Sequence, residues 1–368
     1  MIGGMTTAQP GSDVPENANR TASPNNETQD SPEKPRNAAR FEDWWEAARP
    51  HTWPNAFAPV IAGTGAAAFW SSADIGRALL ALGVAWALIV GVNFANDYSD
   101  GIRGTDEDRT GPTRLTASGL ARPEDVKLAA FVAFGLSALL GIVLSIMSSP
   151  WLILIGAICI AAAWFYTGGS RPYGYAGFGE IAVFIFFGLV AVMGTEFVQT
   201  GFVSGIGFLA AIAIGAISAA VNLANNIRDI ETDAAAGKNT LAVRLGYGSS
   251  RLLFTALTLV PFVVSLLLGT ISTPALLGLA ALPFAVSAIL TVQSGAAGKE
   301  LIPVLGMNGR AMLVWAIVTA LALWWAGAQI AAIQSHIYDA SPSGGIDASR
   351  EDAQYPDVVG HIARERFF

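Results

Sequence analysis

Nine apolar runs follow one another between residues 54 and 332, most of them close to the length that crosses a bilayer, about 20 residues. They cover 54–71, 77–98, 124–147, 150–167, 178–199, 203–226, 250–270, 273–293 and 310–332. Hydrophobic residues fill 53% of the 368 positions and charged residues 13%, with a mean hydropathy of +0.48, which excludes an ordinary soluble domain. The predicted fold is all-α and integral to the membrane, with nine transmembrane helices. Tight hairpins are expected at 148–151, 199–205 and 269–274.

Charge placement orients the helices. Arg36, Arg40 and Arg49 precede the first run. Arg103, Arg109, Arg114, Arg122, Arg171, Arg228, Lys238, Arg244, Lys299 and Arg310 fall in the loops after the second, fourth, sixth and eighth. The odd-numbered loops hold only Arg77. The positive-inside rule then puts the N-terminus and the even loops in the cytoplasm and the C-terminus outside. Residues 1–40 are too polar to bury a core and read as a disordered tail; they lack the pattern of a cleaved signal peptide. Residues 41–334 form the membrane domain, and 335–368 a second polar tail. Residues 41–55, with a tryptophan pair, read as an amphipathic interfacial helix. The single cysteine, Cys159, reads as a small buried hydrophobe, and His51, His336 and His361 are isolated, so no zinc or haem spacing is present.

One short pattern occurs twice. Residues 93–100 read NFANDYSD and residues 222–229 read NLANNIRD, 129 positions apart, each closing an apolar run ahead of a polar, arginine-bearing loop. On a helix Asn93, Asn96, Asp97 and Asp100 fall at i, i+3, i+4 and i+7, on one face. Asn222, Asn225, Asn226 and Asp229 repeat the stripe, and Asp233 extends it one turn. The offset matches two pseudo-repeated four-helix units plus a ninth helix, which would set the stripes across a central cavity. Carboxylate and amide oxygens are the hard ligands that Mg²⁺ prefers, and Arg103, Arg109, Arg114, Arg228 and Lys238 supply fixed cations beside them. A pair of magnesium ions with a diphosphate between them fits that inventory; Mn²⁺ could substitute. Acids doubled on matching helix ends at a membrane boundary cost desolvation, which sets Asp97, Asp100, Asp229 and Asp233 apart from ordinary loop charge such as Asp106, Glu107, Asp108 and Asp125.

The two elements resemble the aspartate-rich motifs of the UbiA superfamily of intramembrane aromatic prenyltransferases. The likeness is carried by residues 48–64 (ARPHTWPNAFAPVIAGT), 93–115, 166–195 and 225–246, and spans most of 41–332 without the tails. Within the superfamily the chain is most similar to the menaquinone-pathway branch. The resemblance implies a multi-pass enzyme of a bacterial plasma membrane, its site at the cytoplasmic face. It also implies Mg²⁺-dependent transfer of a polyprenyl group from its diphosphate to 1,4-dihydroxy-2-naphthoate, with loss of CO₂ and a proton. By motif match, Asp97 and Asp100 would hold one ion with Asn93 and Asn96 in support. Asp229 and Asp233 would hold the second, supported by Asn225 and Asn226, and Tyr166 and Arg171 would contact substrate. Two departures stand out: Gly104 occupies a position where the superfamily often has a third aspartate, and Ser170 one where many members have lysine.

Aromatic faces available to a developing allylic cation are Phe94, Phe184, Phe186, Phe187 and Trp164. Glu196, late in its helix, reads first as a snorkelling interfacial acid and second as a cavity residue. Glu180 has three readings: orienting Arg171, contacting the acceptor, or charging a helix N-terminus. The expected partners are a polyprenyl diphosphate, an aromatic acceptor and the lipid bilayer, with no nucleic acid and no protein partner inferable. Rivals are a superfamily member with another aromatic or phosphosugar acceptor, and a secondary transporter. Charge-free helix centres speak against the transporter.

Overall fold

A computed structural model describes residues 39–104 and 114–339. The first 38 residues, most of the C-terminal tail, and Asp106 and Arg109 therefore lie outside the described residues.

All described regular structure is helical. A short helix α1 (Phe41–Ala47) and a single turn at Pro50–Thr52 replace the expected interfacial helix over 41–55. The break comes at Arg49, a non-glycine residue with a left-handed φ of 52°. Then follow α2 (Pro54–Phe69), α3 (Ile75–Gly101), α4 (Pro123–Met147), α5 (Leu152–Phe165), α6 (Gly179–Thr200) and α7 (Gly205–Arg228). The chain continues through short α8 (Ile230–Ala235), α9 (Leu241–Gly269), α10 (Thr273–Gln293) and α11 (Ile302–Asp339).

Among the described residues seven helices are long and apolar enough to cross a bilayer, whereas α2 and α5 are shorter. Two further expectations shift. Arg310, placed in a loop by pattern, lies inside α11, and α9 begins nine residues before the predicted 250, kinked where Gly246 takes a φ of 70°. Continuous apolar sequence gives no internal mark of where a helix starts, so caps decide it. Asp74 accepts the Arg77 N–H (3.0 Å) to open α3, and Ser204 accepts the Gly207 N–H (3.1 Å) to open α7.

Helix α7 is the axis of the fold. It is rich in Ala and Gly and buried around most of its circumference, and it packs against α2, α6, α9 and α11. Small residues let backbones meet where lipid supplies no hydrophobic drive between helices. A Cβ at Gly188 of α6 would sit 2.5 Å from Gly215 Cα of α7, and one at Gly65 of α2 would sit 2.5 Å from Ala320 Cα of α11. From Phe184 to Met193, α6 winds as a π-helix, a widened form concentrated at functional sites. That stretch and the ends of α3 and α7 enclose the cavities described next.

Candidate active site

The two Asn-Asp elements end on one polar cavity of about 330 Å³, walled by Asn96 and Asp100 from α3 and by Asn222, Asn225, Asn226 and Asp229 around the end of α7. Asp233 of α8 and Lys238 beyond it complete that side, with Arg49, His51, Arg114, Tyr166 and Tyr175. A second, largely apolar cavity of about 160 Å³ adjoins it and shares Arg49, Thr52, Asn96, Tyr166, Asn222 and Asn225. Leu88, Val92, Phe186, Phe187 and Val221 line its greasy part. A ligand with a charged head and an apolar tail matches this pair of spaces.

Asp100 is the electrostatic centre. It is buried, and its carboxylate lies 3.7 Å from Arg114 Nη2 and 3.5 Å from Lys238 Nζ, both buried as well. Tyr175 donates its hydroxyl to Asp100 Oδ1, and Lys238 Nζ rests 4.7 Å from the centre of the same ring. Across the cavity Arg228 and Asp229 form a buried bidentate pair, with both N–O distances 2.7 Å. The continuous second stripe does not survive: α7 stops at Arg228, and Asp229 adopts a non-helical φ/ψ of −102°/12°. The short helix α8 still returns Asp233 to the wall, and the Lys238 N–H donates to the Asp233 carbonyl oxygen at 2.8 Å.

Four cations and three carboxylates line the polar cavity among the described residues. His51 adds no charge at neutral pH, because burial, then Arg49 and Arg228, push its pKa down to about 4 against a weaker pull from Glu46. The sign follows: an unfolded chain protonates His51 near 6.5, the folded one only near 4, so stability should fall as pH drops through that window. His51→Gln should flatten this limb in a pH series of thermal midpoints; an unchanged limb would place the titration elsewhere. Tyr166 donates its hydroxyl to Asn222 Oδ1 at 3.3 Å.

Residues 56–300 match the UbiA prenyltransferase family. The chain belongs to that family. It is 56% identical over 285 residues to the 1,4-dihydroxy-2-naphthoate octaprenyltransferase of Mycobacterium tuberculosis, covering 77% of this chain and 98% of the relative. The Escherichia coli protein of the same name is 40% identical over 220 residues, covering 58% and 71%. A UbiA homologue from Archaeoglobus fulgidus, solved with GPP and Mg²⁺, shares the fold: TM-score 0.54 at 15% identity, covering 75% of this chain and 99% of that one.

Several residues of this UbiA-family chain sit otherwise than their sequence pattern implies. Asp97 does not line either cavity; its two oxygens accept the Leu115 and Thr116 N–H groups, each at 2.9 Å. Asn93 borders only the apolar cavity and donates to the Ala48 carbonyl (3.0 Å) and Thr52 Oγ1 (2.9 Å). Arg103 reaches the carbonyls of Thr167 (2.5 Å) and Gly169 rather than the cavity, and Arg171 is exposed. Glu180 does not meet Arg171; it lies in the first turn of α6, as its reading as a helix N-terminal charge has it, and is buried there, accepting from Asn226 Nδ2 at 2.6 Å. Glu196 does not snorkel: it is fully buried and accepts the Ser204 hydroxyl at 2.5 Å and its N–H at 3.2 Å. Of the aromatics, Phe186 and Phe187 reach the apolar cavity, while Phe94 packs under Trp44 and Trp164 against Tyr98 and Phe131. Cys159 is half-buried on that cavity's wall.

Arg49, His51 and Tyr175 also line the polar cavity, although none belongs to the repeated Asn-Asp pattern. The available signal was a cation and an imidazole just ahead of the first apolar run, with a left-handed arginine as its structural counterpart.

Proposed function

We propose that this protein transfers a polyprenyl group from its diphosphate to 1,4-dihydroxy-2-naphthoate, releasing diphosphate and CO₂ on the route to menaquinone. The observation that carries the reading is the polar chamber of paired acids and cations opening directly onto an apolar one. High identity to relatives of that name supports the acceptor.

Arg49, Arg114, Arg228 and Lys238 face the head of the substrate and hold the diphosphate oxygens. Among the described residues their surplus of one positive charge over the lining carboxylates is too small for a diphosphate, which leaves room for metal. Among the described residues no three acids, histidines or cysteines cluster closely enough to chelate a bare ion. That fits Mg²⁺, which binds through one or two carboxylates together with substrate phosphates. Asp100, Asp229 and Asp233, with the amide oxygens of Asn96, Asn225 and Asn226, are the residues that would hold it, as one ion or two, and Mn²⁺ would suit the same donors. Bound magnesium supplies charge neutralisation for the departing diphosphate. Phe186 and Phe187 line the apolar cavity that would take the tail, where aromatic rings can stabilise positive charge at the allylic carbon as the C–O bond breaks. The naphthoate ring carbon then forms the new C–C bond, and its carboxylate leaves as CO₂.

The positive-inside pattern of the cation-rich loops supports a chamber on the cytoplasmic side, the N-terminus inside and the C-terminus outside, in a nine-pass reading that takes α2 and α5 as short passes. The test is product analysis: purified protein with 1,4-dihydroxy-2-naphthoate and a polyprenyl diphosphate, in Mg²⁺ or in EDTA. A prenylated naphthoquinol formed only with metal is expected. Prenylation of another aromatic acid while naphthoate stays inert overturns the acceptor, and folded protein that consumes no prenyl diphosphate overturns the reading.

A further inference from the structure

Asp97 is 1% exposed, lines neither cavity, and turns both carboxylate oxygens onto one short piece of backbone. A carboxylate buried that deeply is costly unless donors meet it. Here two successive amides do: Leu115 N–H on Oδ2 and Thr116 N–H on Oδ1, each at 2.9 Å, across 18 and 19 residues of sequence. The segment they hold is seated tightly. Leu115 is fully buried among Phe94, Val126 and Phe134. Thr116 lies against the last turn of α3, where a Cβ on Gly101 would meet Thr116 Cγ2 at 2.4 Å. Immediately before the clamped amides comes Arg114, 3.7 Å from Asp100, and immediately after them come Ala117 and Ser118 on the wall of the polar chamber.

We propose that Asp97 is a positioning residue and not a metal ligand: its carboxylate clamps the Leu115–Thr116 backbone so that Arg114 faces Asp100 and Ala117 and Ser118 close the chamber. The residue type follows from the task. Asparagine has one acceptor oxygen where two amides need partners, and glutamate is a methylene too long for the spacing. The metal-side work of the first motif then falls to Asp100 and Asn96, one turn apart on the cavity face. The inference rests on the magnesium–diphosphate reading of the chamber, but the clamp itself is readable without substrate.

Amide hydrogen exchange on the full chain in detergent tests the clamp directly. In the unaltered protein Leu115 and Thr116 should be slow; rapid exchange at both overturns the proposal without any variant. Asp97→Asn should accelerate exchange over 114–118 by about tenfold or more. Its magnesium half-saturation should stay within about twofold of the parent while kcat/KM falls, and that fall should largely vanish in an Arg114→Ala background, as expected for residues acting as one unit. Unchanged exchange in Asp97→Asn overturns the clamp, as does a magnesium half-saturation that rises as far as it does in Asp100→Asn. If the parent protein transfers no prenyl group, the proposed function falls, and exchange still decides the clamp.

Discussion

Asp100→Asn should abolish prenyl transfer to within about a thousandth of the parent rate, the scale of losing a preorganised charge in a water-poor site. The reason is position. Asp100 contacts both Arg114 and Lys238, and Tyr175 donates to it from a third direction. An amide keeps the volume and can still accept from the tyrosine, so packing is preserved and charge alone is removed. Two buried cations then lose the anion they share, and removing one partner of a buried ion pair costs about 3–5 kcal/mol. Both readouts are needed: initial rate of product formation, and thermal midpoint in detergent. A variant within tenfold of the parent rate would remove Asp100 from the centre of the mechanism. Lost stability with retained turnover would make it a structural ion-pair residue only.

Gly188→Val should prevent the protein from accumulating as a folded species. The valine Cβ would lie 2.5 Å from Gly215 Cα and 2.6 Å from the Ala211 carbonyl oxygen, and neither of these backbone atoms can rotate away. Helices α6 and α7 must separate, opening the π-helical stretch that carries Phe186 and Phe187 against the apolar cavity. Overpacking of this kind typically costs about 1–3 kcal/mol, and more where backbone meets backbone. Gly194→Ala is the matched control: it sits on the same helix with nothing within 4 Å of the added Cβ, and should be neutral or mildly stabilising. Equal thermal midpoints for Gly188→Val and the parent would show that the contact between α6 and α7 yields easily.

The repeated Asn-Asp pattern was legible because it is local. Helical period alone puts Asn96 and Asp100 on one face of α3, and both reach the polar cavity. The same period groups Asp97 with them, and there it misleads. A seven-position stripe is broader than the opening it borders, and which edge is covered depends on Leu115 and Thr116, partners 18 and 19 residues away. Arg103 is turned by equally distant partners, its acceptors Thr167 and Gly169 lying 64 and 66 positions on. Glu196 had a nearer clue in Ser204, eight residues later across a hairpin, yet an acid at a helix end looks alike whether it faces water or a cap. Helix identities could be read from hydropathy, but their ends were set by caps such as Asp74 and Ser204 and by breaks such as Asp229 and Gly246.

The six residues common to the polar and apolar cavities make the boundary between them a wall of the protein rather than a surface of the membrane. On the proposed reaction, the incoming chain is anchored at both ends of that wall, while the product has lost the phosphate group that fixed it to the charged side. Departure then becomes a matter of partition: the neutral quinol has only its tail to hold it, and the tail is equally at home in the surrounding oil. The diphosphate left behind faces the opposite choice and leaves toward water. One shared wall thus sorts the two products into different phases, with no moving part needed to send them apart.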